Sequence, residues 1–184
     1  MTKERTLISQ QGWQPSSPMT NTTRNVSFWK APDRDVIKIN TNGSFIVASK
    51  AGFGVIARDC TGKVITANYG SSRVQSTIQA EVVTILKGLE LLPFLSASRF
   101  ILEIDYTILI VAISSGKFSL AHDAQFLVQD IVNLTRNRNI SFSFQNREGN
   151  GVAHMLAKER SIEFKFVIVC LSKVDPRPGK LRLI

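Results

Sequence analysis

The feature that most constrains the fold of this 184-residue chain is a change of hydrophobic rhythm part-way along it. "VIKIN" (36–40), "AGFGVIARD" (51–59) and "GKVITANYG" (62–70) read as three successive strands. The Asp59-Cys60-Thr61-Gly62 break is short enough to close a hairpin. The rhythm then becomes helical. In "TIQAEVVTILKGLELL" (77–92), Ile78, Val82, Ile85, Leu89 and Leu92 recur on one face, and Pro93 bounds the segment. "RFILEID" (99–105) reads as a buried strand and "YTILIVAISSG" (106–116) as a short apolar helix closed by Gly116. "AHDAQFLVQDIVNLTRNR" (121–138) is an amphipathic helix with Phe126, Leu127, Ile131 and Leu134 on one side. "ISFSFQN" (140–146) alternates as a strand, and "VAHMLAKER" (152–160) forms the last helix. The order β-β-β-α-β-α-α-β-α calls for an antiparallel meander followed by helix-linked strands that pair in parallel.

The flanks lack this rhythm. Residues 1–28, with "QPSSPMTNTTRNVS", read as a disordered polar arm, and the folded domain is expected over 29–160. Residues 161–184 form an extension, an apolar segment ("FKFVIVCL") followed by a basic Pro-Gly tail. That apolar segment is far too short to span a bilayer, and the N-terminus lacks a signal peptide's apolar run. A nuclear or cytoplasmic, non-secreted, non-membrane protein is expected, most simply a monomer. Two cysteines without a C-x-x-C pair argue against a disulfide framework or a zinc site. Lysine and arginine number 23 against 14 acids, a net charge of +9 that points to a polyanionic partner, nucleic acid before membrane.

Four positions stand out chemically. Glu81 lies three residues after Ile78 and four before Ile85, so a carboxylate shares the apolar stripe of its helix. Such a group is costly unless paired or bound to a cation. The opposing reading places it at the stripe's edge, favoured by the helix dipole, and the two readings stand level. Asp105 ends an apolar strand before a helix, as an N-cap would, worth about 1 kcal/mol. The same position, at the C-terminal end of a parallel strand, is where ligands bind in α/β sheets. His154 reads as an ordinary helical histidine, and Asn42-Gly43 as a turn, since both residues tolerate positive φ.

Taken in order, "WKAPDRDVIKINTNGSF", "AGFGVIARDCTGKVI", "QAEVVTILKGLELL", "LEIDYTILIVAI" and "NREGNGVAHMLAKE" resemble the plant-type ribonuclease H domain. That domain also occurs at the end of non-LTR retrotransposon reverse transcriptases. The resemblance covers residues 29 to about 160 and rests on the order and spacing of all five motifs. It implies an α/β ribonuclease H-like fold: a five-stranded mixed sheet flanked by helices, with the first three strands antiparallel and the last two parallel to strand one. It further implies cleavage of the RNA strand of an RNA–DNA hybrid by two Mg²⁺ ions about 4 Å apart, one activating water and one stabilising the leaving oxygen.

By motif, the family's four metal-binding acids map onto Asn42, Glu81, Asp105 and His154, which the resemblance makes the catalytic set. Glu81 and Asp105 match; Asn42 and His154 depart. Asn42 offers a neutral carbonyl in place of a bridging carboxylate. With His154 neutral, ligand charge falls from −4 to −2, and each lost charge at that range costs several kcal/mol. Mg²⁺ prefers hard oxygen ligands, so the ion is expected to bind weakly, with Mn²⁺ better suited to an imidazole. The resemblance also implies that Gly43 and Ser44 approach RNA 2′-hydroxyls. Thr77 stands where relatives often carry a hybrid-contacting Asn. Arg136, Arg138, Arg147 and Lys117 are candidate phosphate contacts. The expectation is a hybrid ribonuclease with a degraded metal site; the alternative is an impaired, retroelement-derived protein that binds hybrid or another duplex without cutting.

Overall fold

A computed structural model describes residues 28–158, Ser49 excepted. The arm expected over 1–28, apart from Phe28, and the extension 161–184 lie outside the described residues, as does Cys170. Five strands form one sheet: β1 (Val36–Val47), β2 (Lys50–Arg58), β3 (Val64–Ser72), β4 (Arg99–Ile104) and β5 (Ile140–Phe144), in spatial order β3-β2-β1-β4-β5. β1 pairs antiparallel with β2, and β2 with β3; β4 runs parallel to β1, and β5 parallel to β4. The helices are α1 (Thr77–Leu89), α2 (Thr107–Ser115), α3 (Gln125–Thr135) and α4 (Gly151–Lys158). This is the mixed sheet and element order expected from the sequence rhythm.

One face of the sheet carries the main core. Ile37 and Ile39 of β1, Phe53 and Val55 of β2, and Leu102 and Ile104 of β4 meet Val82, Ile85 and Leu89 of α1, Leu109 of α2, and Val128 and Ile131 of α3. Burying each such side chain is worth roughly 1.5–3 kcal/mol. α1 starts at Ser76, whose hydroxyl accepts from the Gln79 backbone N–H at 3.3 Å, while Gln79 Oε1 accepts from the Gln75 N–H at 2.8 Å. The first bond satisfies an N–H group that a helix start leaves without an intrahelical partner, and the second ties the Gln79 side chain back to the residue before the cap. α1 gives way to a 3-10 turn at Leu92–Phe94 that includes Pro93. α2 ends at Gly116, whose φ of 67° is the left-handed cap conformation. No described helix is long and apolar enough to cross a membrane.

The stripe expected on α3 is rotated. Val128 and Ile131 are its fully buried residues, Leu127 is partly buried, and Phe126 is 79% exposed. Two residues from Val128 is 200° round a helix, so Phe126 and Val128 cannot share a face.

The opposite face of the sheet is polar yet covered. Lys38 Nζ contacts Glu103 Oε1 at 2.8 Å and donates to the Lys30 carbonyl at 2.7 Å. Asn40 Nδ2 donates to Glu103 Oε2 at 2.8 Å, and an Arg58 NH donates to Asn40 Oδ1 at 2.7 Å. The Arg58 guanidinium lies 3.6 Å from the Trp29 ring centroid. α4 covers the rest, because Gly52 and Gly54 of β2 have no side chains to hold it away: a Cβ at either would meet the α4 backbone.

Candidate nucleic-acid interface

β4 ends at Ile104, whereas its parallel neighbour β1 runs on through Asn42 and Gly43 to Val47. This offset leaves a step at the carboxyl end of β4, where α/β sheets bind ligands. A cleft of about 610 Å³ opens there, lined by Asn42, Gly43, Ser44, Phe45, Ile46, Thr77, Glu81, Asp105, Arg147, His154 and Lys158. Residues far apart in sequence, contributed by β1, α1, the end of β4 and α4, thus meet in one place.

Asn42-Gly43 is not a turn. Asn42 pairs with Gly54 and Gly43 with Phe53 in mid-ladder. Gly43 is small for a packing reason: a Cβ would lie 2.5 Å from the Ala80 carbonyl carbon of α1. That approach brings Glu81 Oε2 within 3.0 Å of the Gly43 N–H, which donates to it. Glu81 is 5% exposed and is the fifth residue of α1, beyond the first turn where the dipole acts most strongly. The edge-of-stripe reading therefore fails. Burial, with Asp105 nearby, pushes its carboxyl up to about 8, against the opposing pull of the Gly43 N–H and Arg147.

Asp105 does not cap α2. The cap position is Tyr106, which makes no side-chain capping bond. The Asp105 carboxylate lies in the cleft instead, its pKa raised by burial and held back by its own backbone N–H and by Arg147. Asn42 Oδ1 lies 3.3 Å from His154 Nδ1, and Asn42 Nδ2 donates to the Gly43 carbonyl at 2.9 Å. Burial, Arg147 and Lys158, in that order, lower the His154 pKa. Among the described residues, no three His, Cys, Asp or Glu side chains gather into a metal-holding group.

Gly43, Ser44, Thr77 and Arg147, singled out from the sequence as nucleic-acid contacts, line the cleft. Arg136 and Arg138 do not; they follow α3, and Arg138 lines a separate small groove with Leu134 and Pro93. Lys117, beyond the α2 cap, is likewise outside the cleft. Two residues were missed. Lys158 stands one helical turn from His154, a spacing that puts both on one face of α4. Asn150, fully buried, donates from Nδ2 to the Thr41 carbonyl at 2.8 Å and ties the start of α4 to β1 beside Asn42.

The fold agrees with comparisons to known proteins. A family model described as "Reverse transcriptase-like" matches residues 40–160, so the chain belongs to that ribonuclease H-like family. Among solved structures, ribonuclease H1 from the halophilic archaeon Halobacterium salinarum aligns with a TM-score of 0.57 at 14% identity, over 67% of this chain and 96% of that one. LC11 ribonuclease H1, solved in complex with an RNA/DNA hybrid, aligns with a TM-score of 0.58 at 21% identity, over 67% and 95%. The foamy viral protease–reverse transcriptase in complex with double-stranded DNA gives 0.53 at 11%, over 67% and 91%. No curated protein matches the chain.

Proposed function

We propose that this domain binds nucleic acid, an RNA–DNA hybrid before other duplexes, in the cleft at Asn42, Glu81, Asp105 and His154, and that its hydrolytic activity is lost or severely weakened. One observation carries the reading: two of the four positions where the family places metal-binding acids are occupied by Asn42 and His154, which contact each other. Holding two Mg²⁺ ions close together takes several carboxylates and hard oxygen donors. Here Asn42 Oδ1 faces an imidazole and Asn42 Nδ2 is committed to the backbone, leaving Glu81 and Asp105 as the only acids lining the cleft among the described residues. This donor set does not fit the family's two-ion site, and divalent-ion binding is correspondingly weak. The hybrid bound by LC11 ribonuclease H1 and the duplex DNA bound by the foamy viral enzyme support the ligand class. The family match supports an origin in a retroelement.

Slow cleavage with Mn²⁺ is the second reading, favoured by Glu81 and Asp105 lying in the same cleft. The test is to follow binding and cleavage of one labelled RNA–DNA hybrid, with Mg²⁺ and with Mn²⁺, for the wild type and Glu81→Gln. Saturable binding without cleavage is the expected result. Cleavage with Mg²⁺ that disappears in Glu81→Gln would show a working site and refute the loss of hydrolysis.

A further inference from the structure

Where the family pattern has four acids, this cleft is lined, among the described residues, by two acids and two basic side chains. Arg147, on the loop before α4, and Lys158, at its C-terminal end, both line it. Even with Glu81 and Asp105 fully ionised, the two cations balance them, and Asn42 and an uncharged His154 add nothing. A cleft of formal charge zero repels a phosphodiester far less than a tetra-anionic one and has little excess charge to attract a divalent ion. The Ser44 and Thr77 hydroxyls on the cleft wall add neutral hydrogen-bond donors.

We propose that Arg147 and Lys158 grip a backbone phosphate of the bound nucleic acid directly, with no divalent ion between protein and phosphate. This deepens the reading of the cleft as a nucleic-acid site and rests on it. The guanidinium offers a two-pronged donor that matches phosphate oxygens, and the ammonium supplies a point charge beside it. Divalent ions then become dispensable for affinity in this domain.

The test is fluorescence anisotropy with a labelled RNA–DNA hybrid, in excess EDTA and in millimolar Mg²⁺ at matched ionic strength, across a salt series. Arg147→Ala, Arg147→Lys, Lys158→Ala and the control Lys63→Ala are compared, Lys63 lying at the β2–β3 hairpin on the opposite end of the sheet. Wild-type affinity is expected to be the same in both buffers. Arg147→Ala and Lys158→Ala should each weaken binding about tenfold and shallow the log–log salt slope by about 1, as loss of one phosphate contact does. Arg147→Lys should recover part of the affinity, and Lys63→Ala should change it little. Release of the hybrid by EDTA, or Arg147→Ala and Lys158→Ala binding like the wild type, would overturn the direct grip while leaving the cleft a nucleic-acid site. Absence of hybrid binding in both buffers would overturn the functional reading itself, and the grip with it.

Discussion

His154 Nδ1 stands 3.3 Å from Asn42 Oδ1, so the two residues that the sequence resemblance sets at acid positions are in contact with each other. An amide oxygen only accepts, so the contact requires the proton on Nδ1 of the imidazole. Burial, Arg147 and Lys158 also lower the pKa of this ring. In an NMR titration His154 should therefore ionise below 6.5, as the Nδ1–H tautomer, and Arg147→Ala should move the midpoint upward. A midpoint at or above 6.5 would contradict this electrostatic picture.

Glu81 gives the fold a pH dependence of definite sign. Its carboxyl titrates near 8 in the folded chain against 4.5 for the unperturbed group, so the folded state holds the proton more tightly. The stabilisation is complete below 4.5 and is lost as pH rises through 8. Burial also raises the pKa of Asp105, which acts in the same direction. Urea unfolding of the wild type should show stability declining across this window by a few kcal/mol, an order-of-magnitude figure. Glu81→Gln should flatten the decline. Equal slopes for the two proteins would show that Glu81 does not carry it.

The covered polar face makes Glu103 a sensitive position. It is 4% exposed and bonded to both Lys38 and Asn40. Glu103→Ala leaves the Lys38 ammonium buried without its counter-ion, and removal of one partner of such a pair costs about 3–5 kcal/mol. Chemical denaturation should register this loss. A loss under about 1 kcal/mol, the range of exposed pairs, would mean that water reaches the cluster.

Gly43→Ala should destabilise the fold by about 1–3 kcal/mol, since an added Cβ runs into the α1 backbone at Ala80 and must push helix from strand. The displacement should also break the Gly43 N–H bond to Glu81 and alter the Glu81 titration. An unchanged titration in a stable Gly43→Ala protein would contradict the tight β1–α1 approach.

The strand and helix order was legible because rhythm alone distinguishes a pleated segment from a helical one. What covers a given face was not. In "VIKIN", Lys38 and Asn40 occupy the phase that normally meets water, yet both are buried and bonded to Glu103, a partner 63 residues beyond Asn40, with Trp29 over the Lys38 ammonium. Asn42-Gly43 carries a turn's composition, but the glycine answers to the approach of α1, a tertiary demand with no local signature. Phe126 was placed on the wrong side of α3 because the start of that helix, after a kinked 3-10 stretch, was not visible. The cleft residues were legible only as a set. Glu81, Asp105 and His154 each had an ordinary explanation alone, and motif order rather than local chemistry joined them to Asn42.

The measurement that bears most directly on the proposed loss of hydrolysis is restoration of the two acids. Asn42→Asp with His154→Asp should bring back Mg²⁺-dependent cleavage of an RNA–DNA hybrid by several orders of magnitude over the wild type, each tenfold corresponding to about 1.4 kcal/mol of barrier. Asn42→Asp alone should recover the larger share. Wild-type cleavage at the rate of the double variant, or a folded, hybrid-binding double variant as silent as the wild type, would contradict the assignment of the defect to these two positions.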